Sequence, residues 1–230
     1  MEQIIVFFKP LIRGKIKTRL AVETNEETAL MLYRAMLQDL ETNLREVWEK
    51  VRPIADPNSG EGGYFWKPAG FQKGSDLGEK MYSALECSFA RGVQKTLLIG
   101  SDIPHLQVHP LQRCLCALDD HDMVIGPAVD GGYYLIGFSA AGFKKATTPG
   151  PAGASLFEGL PWSTDMVFSI TLQRARVKNL SIFVAESITD LDTLDDIIHV
   201  LSGPEAAVLP HLAAIALELE LTHEQNKSCP

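Results

Sequence analysis

The sequence predicts an α/β fold built on a mainly parallel sheet. Two short apolar runs, 4–8 and 96–99, read as strands covered on both faces. Segments of helical periodicity alternate with such runs from one end to the other, the pattern of layered α/β domains. A third run, 133–138, follows 123–125 too closely for a crossover, so one antiparallel addition is expected. The 230 residues contain no linker and no internal repeat, and at about 150 residues per domain they suit one unit. The expected division is a main domain over 1–203, with a helix and polar tail over 204–230 packed on it.

In chain order, the strand at 4–8 is followed by a basic stretch, 9–21, whose first half reads as loop because Pro10 and Gly14 interrupt it. Thr24 and Glu27 have capping-box spacing. They start a helix whose Leu30, Tyr33, Leu37, Leu40, Leu44 and Val47 recur every three or four residues. A short strand follows at 53–56, and another is expected at 64–66 between Gly- and Pro-rich turns. Asp76 and Glu79 cap a helix that ends near Gly92. Pro110 suits the first position of a helix reaching about Leu118. Residues 139–155 form a loose stretch rich in Gly, Ala, Pro and Ser. Ser163 caps a helix to about Lys178, the last strand spans 180–185, and Asp192 opens a helix ending at Gly203. Pro204 begins a final helix whose Leu209, Leu212 and Leu219 fit against the sheet or against a second subunit in a homodimer.

Lys and Arg number 21 against 29 Asp and Glu, a formal charge of −8. That balance repels a polyanion and argues against nucleic-acid binding. The distribution is uneven. Lys9, Arg13, Lys15, Lys17 and Arg19 share an acid-free stretch, while Asp190, Asp192, Asp195 and Asp196 cluster toward the other end. A small anionic ligand held at one spot would explain this. Cys87, Cys114, Cys116 and Cys229 lack zinc-site spacing and read as buried free thiols, which suit the cytoplasm. His105 and His109 are flanked by Pro104 and Pro110, so they do not share one continuous helix face. The opening apolar run is too short for a secretory signal, and no run approaches the ~18 residues of a membrane span.

In open α/β sheets, ligands gather beyond the carboxyl ends of strands. Residues 9–20 follow a strand directly and could cradle phosphate. Gly14 permits close backbone approach, Lys17 adds a point charge and Arg19 a planar bidentate donor. Ile16 stands where a Walker A loop has glycine, so the stretch only imitates one, and a solvated basic turn would have the same composition. Asp102 stands at the tip of a hydrophobic strand, and Asp190 and Asp192 lie beyond another. Such carboxylates suit Mg²⁺ or Mn²⁺, which reach proteins through one or two acids plus substrate phosphates. The alternatives are a turn role for Asp102 and a helix cap for Asp192. Asp130, Gly131 and Gly132, before Tyr133 and Tyr134, can grip a sugar or acceptor hydroxyl or simply form a turn. Trp162, Ser163 and Thr164 stand at an expected helix N-terminus, where an anion is favoured, although capping alone also accounts for them. Neither the Rossmann glycine fingerprint nor a nucleophile elbow occurs.

Six ordered blocks carry a resemblance. They are Lys17-Thr18-Arg19-Leu20, residues 72–81, residues 100–104, residues 126–137, residues 160–164 and Asp190-Leu191-Asp192-Thr193. Over roughly residues 4–200 the chain resembles the DUF2064 family of provisionally assigned glycosyltransferases. It departs from the family at Ile12 and Arg13, where members often carry Pro-x-Pro before Gly-Lys. The resemblance implies a three-layer α/β/α, mixed but mainly parallel, Rossmann-like GT-A fold of the nucleotide-diphospho-sugar transferase superfamily. It also implies a nucleotide lying against Lys9, Pro10, Gly14, Lys17, Arg19, Gly74 and Ser101. Asp102 then stands where GT-A enzymes carry their metal aspartate, with Asp192 and Asp190 as further metal carboxylates. Sugar or acceptor would meet Asp130, Gly131, Gly132, Trp162, Ser163 and Thr164. The implied activity is a metal-dependent transferase using a nucleoside diphosphate sugar. Lys17 and Arg19 would offset charge on the leaving nucleotide, and Asp130 would orient or deprotonate a small-molecule acceptor. The alternatives are a nucleotidyltransferase that releases pyrophosphate and a non-catalytic nucleotide-binding module.

Overall fold

The computed structural model describes residues 1–57, 63–148 and 155–227. Strands β1 (Glu2–Phe8), β2 (Val51–Ala55), β3 (Gly70–Phe71), β4 (Lys95–Gly100), β5 (Met123–Pro127), β6 (Tyr133–Ser139) and β7 (Ile182–Val184) form one sheet. Their spatial order is β3-β2-β1-β4-β6-β5-β7. Among the strands of the described residues only β6 runs antiparallel, between β4 and β5. The other pairings, β1 with β2 and β4, β2 with β3, and β5 with β7, are parallel.

The unbroken apolar run of β1 has a physical reason. Successive side chains point to opposite faces of a strand. Ile4, Val6 and Phe8 therefore enter one core, and Ile5 and Phe7 the other. The first core is covered by α2 (Glu26–Asn43), α4 (Val108–Ala117), α7 (Leu194–Leu201) and the start of α8 (Pro210–Lys227). The second is covered by α3 (Leu77–Ala90), α5 (Ala140–Thr147) and α6 (Val167–Val177). The result is helix, sheet and helix in three layers. Leu209 and Leu212 are fully buried in the first core, and α8 is tied to α2 through Asp39. That buried carboxylate accepts from the backbone N–H groups of His211 (3.0 Å) and Leu212 (2.9 Å) and contacts His211 Nδ1 at 2.7 Å. Among the described residues no helix is long and apolar enough to cross a membrane.

Several local expectations are corrected. The cap of α2 is Asn25, which accepts from Glu27 and Thr28. Thr24 instead closes the short helix α1 (Thr18–Glu23), its hydroxyl donating to the Leu20 carbonyl at 2.7 Å. Residues 64–66 form no strand. Trp66 is buried against Phe8 and Trp48, and the edge pairing falls to β3. Helix α4 begins at Val108, two residues before Pro110. The stretch read as loose contains α5, capped by Ser139; its residues 149–154 lie outside the described residues. Ser163 does not cap α6, which starts at Val167 after Met166. The cap of α7 is Thr193, in a reciprocal box with Asp196, rather than Asp192. Pro204 opens a short 3₁₀ turn (Pro204–Val208), and the helix starts only at Pro210. Of the thiols, Cys114 is buried but Cys87 and Cys116 are exposed. At about 100° per residue, positions two apart on a helix cannot share one face. Cys229 lies outside the described residues.

Candidate active site

Every parallel strand delivers its carboxyl end to one rim. There β1 ends in Lys9, β4 in Ser101 and Asp102, β5 in residues 128–132, and β7 in residues 185–192. The chain leaves β1 toward β2 on one side, while β4 lies on its other side. Beyond the ends of β1 and β4 a crevice therefore opens where the strand order reverses, the usual ligand position in such sheets.

At the floor of this crevice the Lys17 ammonium is held by three acceptors. It lies 2.6 Å from Asp102 Oδ1, 2.7 Å from Asp192 Oδ1 and 2.7 Å from the Leu191 carbonyl. An ammonium carries three donors, so all of its hydrogen-bonding capacity is used. The Lys17 side chain is only 5% exposed, against 45% and 38% for its two carboxylate partners. Burial works against its charge, but Asp102 and Asp192 hold its pKa above the ordinary lysine value. Burial likewise opposes the Asp192 charge, and Lys17, backed by Arg19 and Lys9, keeps that carboxyl below its usual range. The clamp is tightened by the backbone, where the Leu191 N–H donates to the Asp102 carbonyl at 2.8 Å. Lys17 itself caps α1 in the left-handed region, with φ 44°, a conformation that costs a non-glycine residue about 1–2 kcal/mol. Non-glycine residues held in this region cluster at functional sites.

A cavity of about 320 Å³ surrounds this clamp, lined by Lys9, Lys15, Lys17, Arg19, Tyr33, Asp102, Ser163 and Asp192 among others. The charged heads of Lys9, Lys15 and Arg19 make no hydrogen bond or ion pair among the described residues, so their donors remain available. A second cavity of about 410 Å³ shares Lys9 and Asp102 with the first and is lined by Phe7, Leu77, Met81, Tyr133 and Tyr134, with Asp56, Gln72, Lys80 and Ser101 as further polar members. Tyr33 braces the wall between strand ends. Its hydroxyl accepts from the Lys9 N–H at 3.0 Å and lies 3.0 Å from Ser101 Oγ. Burial, reinforced by Asp102, pushes its pKa up to about 12, so the phenol stays protonated.

The crevice gathers some of the residues that the sequence singled out, but not all. Lys9, Lys17, Arg19, Asp102, Asp192 and Ser163 line the first cavity and Ser101 the second. Ser163 gets there through a left-handed turn, φ 64°, rather than as a helix cap. Asp190 lies close behind. Burial, followed by Asp130, Asp192 and Asp102, pushes its carboxyl up to about 6. Asp130, Gly131, Gly132, Trp162 and Thr164 stand beside the cavities as structural neighbours. Asp130 Oδ1 accepts from the Gly132 N–H at 2.8 Å, Trp162 packs edge-on to Tyr133, and Thr164 donates to the Pro161 carbonyl. Pro10 is buried beside the rim. Gly14 approaches Glu26 of α2, and Gly74 the first turn of α3, so neither close approach faces the clamp. Tyr33, the Leu191 carbonyl and Asp56, Gln72 and Lys80 of the second cavity were not singled out. Tyr33 shows in sequence only as part of a helix face, and a backbone acceptor leaves no signature at all.

Asp102, Asp192 and Asp190 were expected to hold Mg²⁺ or Mn²⁺. The gap between Asp102 and Asp192 is filled by the Lys17 ammonium, and among the described residues no three His, Cys, Asp or Glu side chains converge to hold an ion. As arranged, this donor set does not fit a divalent ion.

The fold is nucleotide-diphospho-sugar transferase-like. Residues 68–164 match the family model described as an uncharacterized protein conserved in bacteria (DUF2064). A provisionally assigned nucleotide-diphospho-sugar transferase from Desulfovibrio desulfuricans G20 is 29% identical. The match covers 94% of this chain and 97% of that one, with a TM-score of 0.77. A cytidylyltransferase from Leptospira borgpetersenii is 10% identical over 95% of each chain, at a TM-score of 0.51. A 4-diphosphocytidyl-2C-methyl-D-erythritol synthase from Anaerococcus prevotii is 10% identical over 86% of this chain and 96% of that one, at 0.50. The last two likenesses concern the fold alone. No curated protein matches the chain.

Proposed function

We propose that this protein is a transferase that binds a nucleoside diphosphate sugar in the paired cavities and passes the sugar to a small-molecule acceptor. The observation that carries this reading is the pairing itself. A cavity with three uncommitted cations adjoins a largely apolar one, and the two meet at Lys9 and Asp102. A diphosphate suits the first and the flatter parts of the ligand suit the second. The similarity to the Desulfovibrio protein favours a sugar donor.

In the proposed reaction the bond between the anomeric carbon and the diphosphate oxygen breaks, and negative charge grows on the leaving nucleotide. Lys9, Lys15 and Arg19 would meet that charge with donors already in place, so little reorganisation is needed as it develops. Lys17 differs from its sequence-based expectation. With its donors committed, it stabilises the site by fixing Asp102 and Asp192 rather than by touching phosphate. Asp130 is the proposed acceptor-side carboxylate, and its Oδ2 remains to orient or deprotonate a hydroxyl. The same proposal places the protein in the cytoplasm, since Cys87, Cys114 and Cys116 are free thiols.

The test is a product assay across two panels. Incubation with nucleotide sugars should release nucleoside diphosphate, and incubation with nucleoside triphosphates should release no pyrophosphate. Pyrophosphate release would instead establish nucleotidyl transfer at the same rim. Binding with no product from either panel would leave only a nucleotide-binding module.

A further inference from the structure

We propose that Lys17 is the resident cation of this site, standing where a divalent ion would otherwise bridge Asp102 and Asp192, so that nucleotide binding needs no free metal. This deepens the proposed function and rests on it for the identity of the ligand. Four observations carry the inference. The ammonium lies within 2.7 Å of both carboxylates. Its third donor is spent on the Leu191 carbonyl, so it is positioned as fully as a coordinated ion. Its backbone is held in the left-handed region, which aims the side chain inward from the start of α1. Finally, the Leu191–Asp102 backbone bond fixes the two carboxylate-bearing loops to each other around the ammonium.

Charge bookkeeping agrees. Four cations, Lys9, Lys15, Lys17 and Arg19, line the cavity against two carboxylates, Asp102 and Asp192, which leaves the lining positive enough to receive a diphosphate. Magnesium gives up its water reluctantly and demands near-octahedral oxygen ligands. To enter here it would have to expel a buried ammonium from two charge-assisted bonds.

The test combines Mn²⁺ binding, followed by electron paramagnetic resonance on the full-length protein, with calorimetric titration of UDP, GDP, CDP and ADP in EDTA and in Mn²⁺. The wild type should show no saturable Mn²⁺ binding. Lys17→Met should acquire a saturable one-to-one Mn²⁺ site, and adding Asp102→Asn should abolish it. For whichever nucleotide binds, the wild-type affinity in EDTA should stay within about threefold of that in Mn²⁺. Saturable Mn²⁺ binding by the free wild type, or an affinity that falls tenfold or more in EDTA, about 1.4 kcal/mol, would overturn the assignment. If Lys17→Met does not fold, the wild-type measurements decide alone. If no nucleotide binds under either condition while the Mn²⁺ pattern holds, the proposed function falls and the assignment of Lys17 stands.

Discussion

At the scale of single residues, the site is a balance of crowded charges. Asp102, Asp130, Asp190 and Asp192 gather at one rim, and Lys17 neutralises only the pair it touches. Asp190 bears the consequence: burial first, then its acidic neighbours, raise its pKa from 3.8 to about 6. The folded protein therefore binds that proton more tightly than the unfolded chain. Stability falls as pH rises between those two values and remains lower above them. Asp190→Asn should raise stability by about 1 kcal/mol at neutral pH, a discounted figure because the carboxyl is only half-buried and solvent screens it. The gain should vanish below about pH 4. Urea denaturation across pH checks this, and an equal gain at both extremes would contradict it. The sequence displayed these aspartates and lysines, but not which of them face one another. Charge counts give a balance, whereas the capture of Lys17 depends on loops 174 and 175 residues apart in the chain.

At the scale of elements, two tethers fix how helices and loops sit on one another. The first amide groups of a helix have no partner within it, and in α8 those of His211 and Leu212 are satisfied by Asp39 from α2. Asp39→Ala should cost about 2 kcal/mol, the upper range for losing a helix cap, and should speed amide exchange along α8. Urea titration and hydrogen exchange measure the two effects, and unchanged values in both would refute the tether. The second tether joins residues 128–132 to the turn before α6. Gly131 has φ 90°, and a Cβ there would stand 2.3 Å from the Asp165 carbonyl oxygen. Gly131→Ala should destabilise the protein by 1 kcal/mol or more, since neither φ nor space suits alanine. A thermal midpoint equal to that of the wild type would sink this point. The same contact explains why Ser163 looked like a helix cap. Its spacing fits one, but the chain must first turn against Gly131 before α6 can begin.

At the scale of the whole molecule, most of the architecture was legible because strands covered on both faces must be apolar throughout. Hence 4–8 and 96–99 announced themselves, and with them the rim positions of Lys9 and Asp102. The short gap between β5 and β6 foretold the single antiparallel strand. Edge pieces were harder to read. β3 has only two residues, and Trp66 is packed by Phe8 and Trp48, so neither has a periodicity to detect. The paired cavities were also invisible, because they are made by the reversal of strand order between β1 and β4 rather than by any local motif. In the proposed function, loops from β1, β4 and β7 converge there on one nucleotide. Differential hydrogen exchange with and without a saturating nucleoside diphosphate tests it most directly. Protection should appear together in residues 9–20, 101–106 and 186–196. Protection confined to another edge of the sheet, or to only one of these loops, would contradict it.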